Sequence, residues 1–226
     1  MFHDLINLFY PKTCLICEDI LTKNEHLICT NCLHELPVTN YHLDNDNPVK
    51  KVFYGRIALE NATALLLFHK KSNVQTLIHQ LKYRGHKEIG AYLGVWAGNI
   101  LSETEEYQAI DVVIPVPLHP KKLKSRGFNQ VEDFGKKLSK ALNAEYIDNV
   151  LLKTSFTATQ TLKSRFARWN NMEETFILKN ANFIQNKHVL IVDDLITTGA
   201  TIEACANVLK ASPGIKISVV SMAFTE

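Results

Sequence analysis

The run Val189-Leu190-Ile191-Val192-Asp193-Asp194-Leu195-Ile196-Thr197-Thr198-Gly199-Ala200-Thr201 constrains the fold more than any other stretch of the chain. Four aliphatic residues in succession, Val189 to Val192, suit a strand buried on both faces, as in a parallel sheet. Two carboxylates end that run, a Thr-Thr-Gly turn follows, and a helical pattern begins at Ala200 and extends to Lys210. In an α/β sheet, ligands bind where a strand hands over to a helix in this way, at the carboxyl ends of the strands. The turn brings free backbone N–H groups and the positive end of a helix dipole to one place, which suits a phosphate. Gly199 allows a backbone path that a side chain would obstruct, and the threonine hydroxyls add donors for phosphate oxygens.

An anion cradle beside two acids points to a ligand with two chemical faces. The phosphate goes to the turn, and Asp193 and Asp194, as hydrogen-bond acceptors, suit the vicinal hydroxyls of a sugar. A ribose 5-phosphate satisfies both. The stretch resembles the ribose-phosphate loop of the type I phosphoribosyltransferases at all thirteen positions. That resemblance implies binding of phosphoribosyl pyrophosphate (PRPP) with Mg²⁺. Asp193 and Asp194 would act on the ribose, directly or through the metal. Leu195, Ile196, Thr197, Thr198, Gly199, Ala200 and Thr201 would form the substrate-binding segment. Two other readings compete: a magnesium-dependent phosphotransfer site, and a merely solvated strand end. A Walker-type site is excluded, since G-x-x-x-x-G-K-[ST] does not occur.

Four of the five cysteines fall in one short segment, as Cys14-x-x-Cys17 and Cys29-x-x-Cys32 with eleven residues between the pairs. Each C-x-x-C can form a knuckle with both thiolates on one side, and two knuckles complete a tetrahedral four-cysteine zinc site. Such a site is closed, so Zn²⁺ would be structural and would supply much of the folding free energy of so small a segment. The competing readings are disulfides or redox-active dithiols. Cys205, among Ala204, Ala206 and Val208, reads as a small core residue instead.

The polar stretch Asp44-Asn45-Asp46-Asn47-Pro48 marks a boundary between a zinc module, residues 1–46, and a larger domain, residues 47–226. A net charge of +2 says little about nucleic acid. No run of eighteen apolar residues occurs, so no membrane span is expected. The start, Met1-Phe2-His3-Asp4-Leu5, lacks the basic flank and cleavage site of a signal peptide, so a cytoplasmic protein is expected.

Residues 52–68 look like two strands with a turn near Glu60-Asn61, a possible cap near the ligand. Val74, Leu77, Ile78 and Leu81 follow helical spacing, and Lys82-Tyr83-Arg84-Gly85 closes that helix with an ordinary basic and glycine signature, a ligand role for Lys82 or Arg84 being the competing reading. A second helix is expected over 88–101. Asp111 to Pro117 reads as another buried strand, followed by a basic segment that holds Lys121, Lys122, Lys124 and Arg126. This segment is expected to be a loop on the same sheet edge as 193–201, with Lys121, Lys122 and Arg126 facing pyrophosphate. A helix over about 129–142 and a strand over 145–152 follow, and Lys216 to Ala223 forms a last strand.

Pro115-Val116-Pro117-Leu118-His119-Pro120 and Arg126-Gly127-Phe128-Asn129-Gln130, with the cysteine module ahead of them and the acidic run behind, resemble the ComF family of phosphoribosyltransferase-like proteins. The resemblance covers essentially the whole chain. It implies an α/β fold, a mostly parallel sheet flanked by helices behind a small N-terminal zinc-binding module. It also implies a link to natural transformation, in which such proteins support uptake of single-stranded DNA. Between two strands, the polar segment 157–171 corresponds to the mobile loop that closes over PRPP in type I phosphoribosyltransferases, with Lys163, Arg165 and Arg168 as its candidate cations. The family's Gln…Arg…Asn…Phe pattern appears as Gln160, Arg168, Asn171 and Phe176. Two functions are therefore expected in competition. One is a phosphoribosyl transferase that releases pyrophosphate. The other is a non-catalytic protein that keeps the ribose-phosphate site and contacts single-stranded DNA or a partner such as a helicase, with Phe166 and Trp169 available to stack on bases.

Overall fold

The computed structural model describes residues 11–154 and 175–226. Its centre is a five-stranded sheet built from β1 (Ala62–Leu67), β2 (Val112–Pro115), β3 (Glu145–Tyr146), β6 (His188–Ile196) and β7 (Lys216–Phe224). The spatial order is β1-β7-β6-β2-β3, and every neighbouring pair is parallel. Two further strands, β4 (Leu151–Thr154) and β5 (Thr175–Leu178), form a separate antiparallel pair. The free edge of β1 is covered by residues 37–39, with Thr39 N–H donating to Leu65 O at 3.0 Å and Leu67 N–H to Pro37 O at 2.8 Å, which protects a strand edge from stray pairing.

Helices cover both faces, as the apolar strand composition requires. On one side α3 (Asn73–Tyr83), α4 (Glu88–Ser102) and α6 (Glu132–Ala141) pack with Leu190, Val192 and Val220. On the other, the short α2 (Pro48–Lys51) and α7 (Ala200–Leu209) pack with Val189, Ile191 and Val219. Successive residues of β6 thus enter opposite cores, which is the period of a strand. Helices α4 and α6 approach so closely that a Cβ on Gly94 would lie 2.8 Å from Phe134 O and one on Gly98 2.7 Å from Ala141 Cβ. The zinc module belongs to the same body: Cys14, Ile28, Cys32 and Leu36 share a buried cluster with Leu65 and Leu93. Among the described residues no helix is long and apolar enough to cross a membrane.

The mostly parallel α/β fold matches the expectation, and several elements differ from it in detail. Residues 52–68 hold one strand instead of two. Asn47 Oδ1 caps α2 by accepting from Lys50 N–H at 3.0 Å, Pro48 sits in its first turn, and Phe53 and Ile57 are buried beneath the turn that follows. The expected strand over 145–152 is split between two sheets. The basic segment is helix α5 (Pro120–Arg126), not an open loop: His119 Nδ1 accepts from Lys121 N–H at 3.1 Å, Pro120 starts the helix, and Gly127 ends it at φ 82°. Helix α6 starts later than expected because Asn129 uses its side chain on Val116 O at 3.0 Å. The last strand, β7, lies between β1 and β6 and is central.

Ile191 is fully buried in the middle strand. Ile191→Ala should cost about 2–5 kcal/mol, read from equilibrium denaturation.

Candidate ligand and metal sites

Strand order decides where the sheet can open. After β2 the chain moves outward to β3, whereas after β6 it moves the opposite way to β7. The carboxyl ends of β2 and β6 therefore form the topological switch point, the place where open α/β sheets bind ligands. Pairing between them stops at Pro115 and Val192, with one more bond from Val116 N–H to Val192 O at 2.9 Å. Prolines 115, 117 and 120 turn the chain away there. Strand β6 continues to Ile196 with β7 alone.

Asp193 and Asp194 thus lie inside β6 and not past its end, at the point where β2 leaves. They are 8 % and 5 % exposed, which rules out a solvated strand end. Asp194 N–H donates to Asp193 Oδ1 at 2.8 Å. Burial, reinforced by the charge of Asp194, pushes the Asp193 carboxyl up to about 7. Asp194 Oδ1 accepts from Lys82 Nζ at 2.8 Å, while Asp194 Oδ2 is buried with no partner. Lys82 stands in the last turn of α3. Its partner lies more than a hundred positions away, and a lysine at a helix C-terminus is so ordinary that nothing local marks it.

Beyond the acids, Leu195 is half-buried and Ile196 is buried, so only their backbone is available to a ligand. Thr197, Thr198, Ala200 and Thr201 are exposed. Gly199 is the N-cap of α7 at φ 72°, without a side-chain cap bond, which leaves the first-turn N–H groups to a ligand or solvent. A Cβ on Gly199 would stand 2.6 Å from Phe53 Cε1 and 2.8 Å from Val52 Cγ1. The turn after α2 thus packs against this bend, the part of the cap expectation that holds. Arg56 ties the two together. Its Nη1 donates to Thr198 O at 2.6 Å, and its Nε and Nη2 bind Glu203 in the first turn of α7. Glu203 would otherwise place an uncompensated negative charge beside an anion site. Sequence reasoning missed Arg56 and held Lys82 only as a competing reading of a helix end.

Of the expected pyrophosphate cations, Lys121 and Lys122 are exposed on α5. Arg126 is half-buried: it donates to Gln130 Oε1, and its guanidinium carbon sits 5.6 Å from the centre of the Tyr83 ring. Lys163, Arg165 and Arg168, with Gln160, Phe166, Trp169 and Asn171, lie outside the described residues. Phe176 is a buried residue of β5, with Lys153 Nζ 5.1 Å from its ring centre. Cys205 is fully buried in α7, and burial, with Asp193 nearby, pushes its thiol upward.

The four module cysteines converge, with their Sγ atoms all within 4.8 Å of one another. A tetrahedral zinc with bonds of about 2.3 Å needs S···S edges of about 3.8 Å, and Cys17 Sγ lies 3.7 Å from Cys29 Sγ. The backbone is wrapped toward the sulfurs: Ile16 N–H and Cys29 N–H point at Cys14 Sγ at 3.4 and 3.3 Å, and Cys32 N–H at Cys29 Sγ at 3.5 Å. Cys29 also caps α1 (Thr30–His34), which aims Cys32 back at the cluster. One closed site explains both C-x-x-C pairs, and Zn²⁺ fits it as a structural ion.

Two outcomes test these sites. Cys32→Ala should reduce bound zinc from about one ion per chain to a small fraction of that, measured by elemental analysis. Asp193→Asn should flatten a pH slope. A carboxyl held at about 7 when folded, against an ordinary 3.8, contributes stability that is complete below pH 4 and lost as pH rises through 7. The variant should therefore gain stability on the parent at pH 8 relative to pH 4, by a few kcal/mol at most, in denaturation at both pH values.

Residues 5–43 match the double zinc ribbon domain family. The DNA utilization protein YhgH of Shigella flexneri is 30% identical over 210 residues, covering 91% of this chain and 87% of that protein. Competence protein F of Haemophilus influenzae is 24% identical over 211 residues, covering 89% of this chain and 92% of that one. Competence protein ComFC of Streptococcus pneumoniae is 32% identical over 128 residues, covering 57% and 54%. Among solved structures, an adenine phosphoribosyl transferase from Trypanosoma brucei aligns with a TM-score of 0.42 at 12% identity, covering 74% of this chain and 84% of that one. A hypoxanthine phosphoribosyltransferase from Staphylococcus aureus aligns with a TM-score of 0.35 at 17% identity, covering 60% of this chain and 62% of that one. The parallel order and the switch point stand on the chain's own backbone pairing. With the cysteine module, the two proline- and arginine-containing motifs and the acidic strand end all in sequence, and with near full-length likeness to YhgH, the chain belongs to the ComF family.

Proposed function

We propose that the protein is phosphoribosyltransferase-like and binds PRPP, or another ribose 5-phosphate compound, with Mg²⁺ at the carboxyl end of β6, in the service of DNA uptake or utilization. The observation that carries this reading is the juxtaposition, at the switch point, of a buried acid pair and an open Thr-Thr-Gly bend at the N-terminus of α7. The bend supplies backbone N–H groups and the hydroxyls of Thr197, Thr198 and Thr201 to the 5-phosphate. The acids accept from the ribose hydroxyls, and their oxygen donor set, with one unpartnered oxygen on Asp194, suits Mg²⁺. Bound there, Mg²⁺ would neutralise pyrophosphate. Lys121, Lys122 and Arg126 on α5 are candidate cations to share that task. Transfer would need no covalent nucleophile from the protein, only a held sugar and a stabilised leaving group. The DNA connection rests on the names of the relatives, DNA utilization and competence proteins.

A second reading, a non-catalytic single-strand binder, draws support from a groove of about 610 Å³ between α1 and α4, lined by Leu33, Tyr92 and Trp96. Tyr92 and Trp96 stand edge to face there, with ring centres 6.5 Å apart. Aromatic faces of this kind stack on unpaired bases.

Calorimetry of the zinc-loaded protein with PRPP and Mg²⁺ should show one site, and Thr198→Val should weaken it about 10- to 100-fold, the cost of one hydrogen bond to a charged group. Absence of binding rejects the PRPP reading. A single-strand affinity that falls steeply with salt and drops in Trp96→Ala, without any response to PRPP, selects the second reading.

A further inference from the structure

Lys82 and Asp194 make the shortest route to a property of this site beyond ligand identity. The pair is well shielded, with side chains 20 % and 6 % exposed. Two carboxylates are adjacent in sequence and buried, and one ammonium touches one of their four oxygens. Among the described residues, none donates a hydrogen bond to Asp194 Oδ2. A buried carboxylate with an empty oxygen is a poorly satisfied group. Lys82 is in direct contact with Asp194, and Lys153 is a second cation whose charge reaches Asp193. A divalent cation supplies twice the charge and binds carboxylate oxygens while keeping several waters. It competes directly for the position that Lys82 Nζ holds on Asp194. Lys82 sits in the last helical turn, one residue from Tyr83, whose ring faces Arg126. Displaced from Asp194, its ammonium is free to meet an anionic ligand at the carboxyl edge of the sheet.

We propose that Lys82 is a displaceable counter-ion, which holds Asp194 in the ligand-free protein and yields that carboxylate to the divalent cation that accompanies a phosphorylated ligand. The identity of that ligand rests on the PRPP reading above, whereas the exchange on Asp194 does not. Lys82 is in this sense a positioning residue: it holds the Asp194 carboxylate in place until the metal arrives, and it couples metal binding to the release of one cation toward the anion. A ligand that brings its own divalent cation gains from the exchange twice, once at the acids and once at the freed ammonium.

The test uses Mn²⁺ alone, followed by electron paramagnetic resonance on the zinc-loaded full chain. Lys82→Met removes the competitor, so Mn²⁺ should bind about tenfold tighter than to the parent, as expected for loss of one coupled interaction. Lys82→Arg keeps a competing cation and should resemble the parent. Equal affinity in Lys82→Met and the parent overturns the proposal. Because Lys82→Met leaves a buried charge unpaired and can unfold the chain, a second measurement uses the unaltered protein. Amine acetylation read by mass spectrometry should increase several-fold at Lys82 when millimolar Mg²⁺ is added, while Lys136, paired with Glu132, stays constant. No change at Lys82 equally overturns the proposal. PRPP binding with no metal-dependent change at Lys82 sinks the exchange alone. The expected Mn²⁺ and labelling results without any PRPP binding sink the ligand reading alone.

Discussion

Strand β6 can be apolar on both faces only because it is paired on both edges and covered on both sides, and the site depends on where that double pairing stops. Up to Val192 the strand has β2 on one edge and β7 on the other. Beyond Val192 it keeps only β7. The prolines that end β2 therefore determine which residues of β6 border the crevice at the switch point. These residues are the two aspartates, still deep enough to be nearly out of water. A carboxylate in that position is costly unless it is paired or given a proton. The chain uses both remedies: a raised affinity for protons at Asp193, and Lys82 at Asp194. A site under this electrostatic tension is well matched to a cationic ligand component.

The neighbourhood of the bend shows the same economy of parts. Gly199 is required twice, by its left-handed backbone and by the Phe53 ring that presses against it. Arg56 binds both the carbonyl of Thr198 and the acid at Glu203, so the bend is held from the α2 side while its outer face stays open. The zinc module is likewise not an appendage. Its cysteine-bearing knuckles share a buried cluster with β1 and α4, and the segment that leaves it pairs with the edge of β1. Loss of the metal would therefore be felt in the sheet.

Much of this was legible from local signals. The aliphatic run of β6, the C-x-x-C pairs and the helical spacing around Leu77 each carry a period or a spacing that one kind of local structure satisfies. The misreadings came where a capping signal was present but competed with another pattern. Asn47-Pro48 starts a helix in front of residues that otherwise alternate like a strand, and His119-Pro120 does the same for a segment whose charges suggested an open loop. Between Tyr146 and Leu151 the exposed pair Asp148-Asn149 interrupts the apolar pattern, and there the chain leaves one sheet for another.

What the sequence determined by itself was chemical inventory and local form: a Thr-Thr-Gly bend at a helix start, an acid pair, a closed set of four thiolates, and strands that must be buried. Tertiary structure alone decided which strand lies beside which, and so where the crevice opens, how deep the acids sit, and which cations reach them. Lys82 and Arg56 are unremarkable in their own segments. They become parts of the site because helix α3 and the turn after α2 pack near the end of β6, and electrostatic interaction depends on distance through space, not on separation along the chain.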